Sequence, residues 1–223
     1  MRPLDLLTYL CHHFYTRDQL VARSDLTETE FEHFRQIKVM PACSYSLEGP
    51  LLCRSFFGEH SFRARSEFYA KGYVSWLTRL PSFGSPPEIK AWFQTRYRTR
   101  LRQLELEGFS VNHPKLTTEL ETHLEREWSH FLDGTYGLCT RSGLPEDIAS
   151  KEAAILIIEE WIQQEPNRDA EKETLRRAVD LLDEASAPFA PHERARSSRH
   201  RLVNEVRRIY SLESPPPRVD FSS

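Results

Sequence analysis

The chain has 223 residues, of which 39% are hydrophobic and 28% are charged, and its formal net charge is −3. This composition is typical of a globular protein with a real core, and the length suits one compact domain or a small module joined to a larger one. The small negative charge predicts no general attraction to nucleic acid or anionic lipid. No apolar run approaches the roughly 20 residues of a membrane-spanning helix. The N-terminus also lacks the pattern of a secretory signal, so we expect a cytoplasmic protein.

The four cysteines are scattered along the chain and form no C-x-x-C pair. This spacing argues against a zinc ribbon and against a redox-active dithiol. We expect free thiols that pack as small hydrophobic side chains. We expect neither a metal ion nor a cofactor.

Residues 16–41 have the pattern of a helix, a tight turn and a second helix. Thr16 with Gln19, and Thr27 with Glu30, have the spacing of capping boxes, which marks the start of both helices. A preceding helix is expected near residues 3–14, and residues 40–57 could supply a short wing or hairpin. The apolar residues that can form a small core between the two helices are Leu20, Val21, Leu26, Phe31, Phe34 and Ile37.

This run is similar to the DNA-reading head of the mercury-resistance-type transcription regulators, in which a wing follows the second helix. The resemblance implies a helix-turn-helix module, with or without a wing, over residues 1–55. The second helix, however, carries Glu28, Glu30 and Glu32, which would repel the phosphates of DNA. We therefore interpret the module as a scaffold or a protein-docking surface and do not expect it to bind DNA.

The remainder of the chain shows helical spacing of apolar residues almost throughout. From Ser61 onward this spacing predicts a larger domain, a helical bundle over residues 56–212, and therefore an all-α protein. The short proline-rich tail, residues 213–223, is expected to be disordered. The first stripe contains Phe68, Tyr69, Tyr73, Trp76, Leu77 and Leu80. Further helices are expected near residues 85–104, 116–131, 148–162, 175–182 and 202–210.

One expected helix carries three polar side chains, His123, Glu127 and His130, within a narrow sector beside an apolar stripe. Two imidazoles and a carboxylate are a ligand set of non-haem iron and some zinc sites. The rigid spacing of one helix rarely fits a single ion, so we expect a metal-free arrangement. Two interpretations stay open, namely a half-buried margin with a Glu–His interaction, and a binding or acid–base role.

The sequence FLDGTYGLCTRSGLPEDI follows this helix and is unusual for a plain connector. Its glycines permit backbone turns that other residues disfavour, so the loop can fold back over the helix. A tightly packed loop with a buried Cys139 is one alternative, and a Cys–His nucleophile pair is another. The pocket that this loop could form contains Tyr136, Cys139 and Arg141 beside His123 and His130.

A second unusual segment, ASAPFAPHERARSSRHR, places positive charge at the expected start of the last helix. Such charge is unfavourable beside the helix dipole. The cluster formed by His192, Arg194 and Arg196 therefore suggests an anionic partner. This partner could be a ligand, or it could be nearby carboxylates such as Glu193, in which case the cluster forms internal salt bridges.

Three strings, FLDGTYGLCTRSGLPEDIASKE, ASAPFAPHERARSSR and YTRDQL, resemble a family of bacterial proteins of unknown function. Its members are commonly labelled natural-product biosynthesis proteins, and the resemblance extends from about Leu4 to Leu212. It implies a cytosolic role near secondary-metabolite pathways and no catalytic residues.

We therefore predict an accessory protein of natural-product biosynthesis that binds a small molecule or a pathway protein. Whether it forms a homodimer stays open. One alternative is a one-component, DNA-binding transcription regulator, and another is a biosynthetic enzyme with a site in the loop at residues 134–141.

Overall fold

The structure is a computed structural model that describes residues 3–110, 112–164 and 172–213. These residues are mostly helical and include one small antiparallel sheet. The first part of the chain contains α1 (Pro3–His13), β1 (Phe14–Thr16), α2 (Arg17–Arg23), α3 (Glu28–Gln36), β2 (Tyr45–Ser55) and β3 (Gly58–Ala70).

The second part of the chain is helical. It contains α4 (Tyr73–Arg79), α5 (Pro86–Leu106), α6 (Leu120–Leu132), α7 (Thr135–Cys139), α8 (Pro145–Gln163), α9 (Lys172–Ala185) and α10 (Glu205–Tyr210). A π-helical turn, His200–Asn204, precedes α10. Among the described helices, none combines the length and the apolar character that crossing a membrane requires.

Both predicted capping boxes are confirmed at the starts of α2 and α3. In each, the threonine side chain accepts from the N3 backbone N–H, and the N3 side chain accepts from the threonine backbone. Leu20 and Phe31 are fully buried between the helices, whereas Ile37 is exposed. The predicted small core therefore forms without Ile37.

The prediction of a mostly helical protein is confirmed, but the chain is not all-α, because residues 45–70 form a long β-hairpin. Its strands pair in the sheet order β1-β3-β2. Phe68 and Tyr69, which were expected on a helix, lie in β3. They are consecutive buried residues because β3 is the central strand and both of its faces are covered there.

The predicted boundary between residues 55 and 56 lies at the tip of this hairpin, between two paired strands. A division of the chain at that point would separate the strands. Of the predicted tail, residues 214–223 lie outside the described residues.

One continuous apolar core joins the two parts of the chain, from Tyr9 to Leu212. Trp76 lies at its centre, and its indole Nε1 donates to the carbonyl of Val39 at 3.0 Å. The backbone N–H of Ala42 donates to the carbonyl of Leu132 at 2.9 Å. The N-terminal elements are therefore bonded directly to the helical part.

The helical part is built around α8, which packs against α5 on one side and α9 on the other. Ser85 caps α5 and is followed by Pro86 and Pro87, which confirms the predicted start of this helix. Gly134, with φ of 84°, follows the end of α6 in the left-handed conformation that favours glycine. This turn directs the chain back toward the N-terminal elements.

Candidate functional site

Two of the predicted site residues, His123 and Glu127, lie on the inner face of α6. They are 2% and 6% exposed. The Nε2 atom of His123 lies 3.0 Å from the hydroxyl of Tyr97 on α5. Its Nδ1 atom lies 3.6 Å from Oε1 of Glu127, which is too long for a hydrogen bond. Burial lowers the pKa of His123, which favours the neutral imidazole.

Tyr136 on α7 completes this network, because its hydroxyl donates a short hydrogen bond to Oε2 of Glu127. Burial raises the pKa of Glu127 to about 7, although the hydrogen bond from Tyr136 acts in the opposite direction. Burial and the neighbouring Glu127 also raise the pKa of Tyr136. Tyr97, His123, Glu127 and Tyr136 thus form a buried polar network that joins α5, α6 and α7.

His130 is not part of this buried network. Its side chain is exposed, and its Nδ1 atom lies 3.4 Å from a carboxylate oxygen of Asp133. The rings of His130 and Tyr136 are 6.3 Å apart. The three polar residues of α6 therefore separate into a buried pair and a surface histidine. Across the described ranges, no group of three or more His, Cys, Asp or Glu side chains is arranged to hold a metal ion.

Residues 135–139 form the short helix α7, where the sequence suggested a loop. The backbone carbonyl of Cys139 accepts two hydrogen bonds, one from Nζ of Lys151 at 2.7 Å and one from the N–H of Ala187 at 3.3 Å. Lys151 is buried, and its ammonium group also lies 5.6 Å from the ring of Phe189. These hydrogen bonds attach the end of α7 to α8 and to the chain at Ala187.

The two unusual segments of the sequence meet in the structure. Thr140 and Ser186 form an isolated antiparallel bridge. Beside it, the N–H of Arg141 donates to the carbonyl of Ala185 at 2.9 Å. Segments that are more than 40 residues apart in the sequence therefore form one wall.

This wall faces a cleft of about 320 Å³ between the N-terminal elements and the helical part. The N-terminal elements contribute α1 and the start of β1 on one side, together with the end of β3. The residues that line the cleft are Tyr9, His13, Phe14, Ala70, Gly137, Thr140, Arg141, Asp183, Ser186, Ala187, Pro188 and Arg199. Of the predicted site residues, Arg141 lies here.

Two hydroxyls of the cleft, those of Ser186 and Tyr9, are buried and have no hydrogen-bond partner among the described residues. The side chain of Arg141 is exposed, and its positive charge interacts with the carboxylate of Asp147. In contrast, Arg199 binds Asp183, which also binds Arg207 at 2.7 Å.

His13 indicates that positive charge surrounds one side of the cleft. Its pKa is lowered first by burial and then by three cationic neighbours, His12, Lys71 and Arg194. Charges of one sign around a concave site raise the local concentration of the opposite ion. Positive charge therefore lies near His13, which lines the cleft.

His192, Arg194 and Arg196 lie before the last helix, whereas Arg199 and Arg201 lie in its first turns. Residues Arg194–Arg196 form a 3-10 turn, and Ser197 then adopts an extended conformation before the next helical turn. Nε of Arg194 donates to the carbonyl of Phe189 at 3.1 Å, and Arg196 is exposed.

The neighbouring acid in this segment is Glu193. It lies 3.6 Å from Nε2 of His192, and its carboxylate accepts from the hydroxyl of Tyr45 at 2.6 Å. The segment is therefore tied to the base of the hairpin.

Sequence reasoning did not identify Tyr97, Tyr9, His13 or Ser186 as site residues. Tyr97 was assigned to the core because it belongs to a helical apolar stripe. The other three reach the cleft through contacts between distant parts of the chain, for which the sequence carries no local signal.

A sequence model described as a family of unknown function, DUF6058, matches residues 89–211, which is just over half of the chain. The matched range includes Arg141 and Ser186 but not Tyr9 or His13. No curated protein and no solved structure matches the chain.

Proposed function

The chain belongs to this family of unknown function, so we propose its function from its own residues. It binds a small organic molecule with a carboxylate or phosphate group in the cleft between α1 and the segments at residues 137–141 and 183–199. In this role it is a cytoplasmic accessory protein of natural-product biosynthesis rather than a DNA-binding regulator.

The observation that supports this proposal most directly is that Arg141 and Ser186 both line the cleft, beside the bridge between the two segments. A buried hydroxyl without a partner costs free energy, and a ligand that accepts its hydrogen bond would remove this cost. The guanidinium group of Arg141 is exposed and offers a planar donor group that fits a carboxylate or phosphate. One small anion bound in the cleft would therefore accept hydrogen bonds from both Arg141 and Ser186.

The size of the cleft fits this kind of ligand. Binding sites for small molecules usually have volumes of roughly 300 to 1,000 Å³, and this cleft, at about 320 Å³, lies at the lower end. Apolar side chains such as Phe14 and Pro188 form part of the wall. A compact molecule with one acidic group and an apolar body would match both features.

The proposed setting in natural-product biosynthesis rests on the sequence resemblance. Its two longest strings span residues 131–152 and 185–199, and both contribute to the wall of the cleft. In a producing strain, replacement of Arg141 by glutamine should therefore reduce product formation. Unchanged product from a strain with normal levels of the variant would contradict this assignment.

Binding can be tested with citrate and inorganic phosphate as probes, at constant ionic strength and with chloride as the reference anion. We expect citrate to raise the melting temperature of the wild-type protein and Arg141→Gln to abolish this increase. Arg102→Gln is the matched control, since Arg102 is an exposed arginine on α5 away from the cleft. Equal responses of the two variants, or no response of the wild-type protein, would contradict the proposal.

Ser186→Ala supplies a second test that separates binding from folding. Removing an unpaired buried hydroxyl should leave the melting temperature of the free protein unchanged or slightly raised. The same change should weaken citrate binding by roughly 5-fold, the equivalent of one hydrogen bond. A variant that binds citrate like the wild-type protein would show that Ser186 does not contact the ligand.

The order of the N-terminal elements favours a second candidate function, namely DNA binding. A helix, a strand, two helices and a two-stranded hairpin follow one another as in a winged helix-turn-helix module. The exposed side of α3 does not favour it, because Glu28 and Glu32 form ion pairs with Arg17, each at 2.7 Å. These pairs also occupy a cation that could otherwise contact phosphate.

DNA binding predicts a specific footprint on a promoter at physiological salt. We expect only weak, nonspecific binding that disappears as the salt concentration rises. A nanomolar footprint would establish the regulator in place of the ligand-binding protein. No observation favours the remaining alternative, an enzyme at residues 134–141, which stays a prediction.

A further inference from the structure

The outer part of the β2–β3 hairpin projects away from the rest of the protein. Seven residue pairs, from Gly49–Ala64 to Ser55–Gly58, extend it by about 20 Å at roughly 3.4 Å per residue. Almost all side chains along this length are exposed. A two-stranded hairpin alone is only marginally stable in water. We therefore expect this hairpin arm to be stabilised by a contact with another molecule, because the described residues pack little against its outer part.

Two phenylalanines occupy the tip of this arm. Phe56 and Phe57 are 96% and 95% exposed, and their rings lie 5.4 Å apart. Short hairpin turns usually carry Asn or Gly at such positions, because these residues suit the turn geometry. Aromatic residues there add nothing to the core, so their function lies in a contact outside the chain.

The two faces of the arm differ in chemistry. Leu51 is paired with Phe62 and lies on the face that continues the core-facing side of the sheet, where Phe68 is buried. The ring of Phe62 also stacks on His60 at 5.6 Å. The opposite face carries the ion pairs Arg54–Glu59 and Glu48–Arg65. One face is therefore apolar and the other is charged.

We propose that the apolar face and the tip of this hairpin bind the same surface of a second copy of the chain, forming a symmetric dimer. Charge supports a like-with-like contact, because residues 45–70 contain three glutamates and three arginines. Such a surface neither repels its own copy nor attracts an anionic membrane. A twofold axis brings each tip against the apolar face of the other arm.

The apolar area is sufficient for such a dimer. An exposed phenylalanine offers on the order of 200 Å², and the half-exposed Leu51 and Phe62 on the same face add to this. Two arms would then bury on the order of 1,200 Å² in total, which is the lower end for specific protein interfaces. Elsewhere in the described part of the chain, exposed apolar residues such as Leu106 and Ile209 lie on separate helices.

The contact uses the face of the arm rather than its edge. β2 is the edge strand of the sheet, and Pro50 lies in it. Proline within a sheet is confined to edge strands, with its missing N–H on the solvent side. A continuous ladder between two β2 strands would lack that hydrogen bond, whereas packing of two faces would not need it.

Sedimentation equilibrium of the full chain tests this dimer. The wild-type protein should dimerise in a concentration-dependent manner, and Phe56→Asn/Phe57→Gly should weaken the dimer by roughly 30-fold or more, as expected for central aromatic contacts. The new residues suit a hairpin turn, so the variant should fold normally. Leu106→Ser is the control and should leave the dimer unchanged, because Leu106 is an isolated exposed residue on α5.

Thiol labelling gives a second readout that locates the interface. Cys53 lies on the apolar face of the arm, and Cys11 is exposed on α1. Labelling of Cys53 should slow as the wild-type concentration rises, while labelling of Cys11 should not. A wild-type monomer at all concentrations, or a dimer that the tip variant leaves intact, would overturn the proposal. A monomer that floats with vesicles of phosphatidylcholine and phosphatidylserine would also overturn it and assign the arm to lipid.

Discussion

Glu127 is a carboxyl group that the fold buries, and its titration should be visible in the stability of the protein. Burial raises its pKa from 4.5 to about 7. The folded protein therefore holds this proton more tightly than the unfolded chain does. The free energy of unfolding should fall by on the order of 3 kcal/mol as the pH rises through this interval, and it should level off above it.

The variant Glu127→Gln removes this titration and keeps an acceptor for Tyr136. We expect its stability, relative to the wild-type protein, to increase as the pH rises from 4.5 to 7. Urea denaturation at several pH values measures this difference, and the separate titration of His123 largely cancels in it. Glu125→Gln is the control, since Glu125 is exposed on the same helix. A constant difference between variant and wild type would show that the pKa of Glu127 is the same in the folded protein as in the unfolded chain.

Helical spacing was sufficient to predict part of the buried network. His123 and Glu127 are four residues apart, so they had to lie on one face of α6. The turn at Gly134 brings Tyr136 back to the same face, as the sequence suggested. The separation of His130 was not predictable, because the width of the buried stripe depends on how α5 and α7 pack against α6.

At the scale of secondary-structure elements, Arg207 holds α10 against α9. Its guanidinium group donates to Asp183 at 2.7 Å and to Asp180 at 2.8 Å, and its side chain is 13% exposed. Arg207→Met should lower the free energy of unfolding by about 2 kcal/mol. The loss stays below that of a fully unpaired charge because Arg176 and Arg199 still contact the two aspartates.

The next residue in the chain provides the control for Arg207. Arg208 is 68% exposed and pairs with Glu205 one helical turn away. Such surface pairs contribute little, so Arg208→Met should show no measurable change in urea denaturation. Equal effects of the two substitutions would mean that Arg207 is not buried in solution.

The helices were more predictable than the strands for a physical reason. Capping boxes and proline at a helix start are local signals, and those of α2, α3 and α5 were all confirmed. β3 passes through the core between two other strands, so its buried residues lack the alternation that marks a half-exposed strand. Its apolar residues instead continued the stripe of α4 and were read as helix.

At the scale of the whole molecule, the continuous core predicts one cooperative unfolding transition. The N-terminal elements and the helical part share buried side chains and direct hydrogen bonds, such as the one from Trp76 to Val39. Calorimetry of the full chain should therefore show a single transition, with equal calorimetric and van't Hoff enthalpies. Two separated transitions would show that the two parts fold independently.

Tyr45 connects the projecting hairpin to a segment that lines the cleft, so dimerisation and anion binding share one hydrogen bond. It lies at the base of the projecting arm, and its hydroxyl is bonded to Glu193 in the segment that also forms a wall of the cleft. If binding at one end changes the strength of this bond, the free energy of binding at the other end changes with it. Because thermodynamic linkage is reciprocal, an anion that tightens the dimer must bind the dimer more tightly than the monomer, by the same factor. Anion binding in the cleft and dimerisation would then be coupled equilibria, and the coupling could be measured either as a change in dimer affinity or as a change in anion affinity.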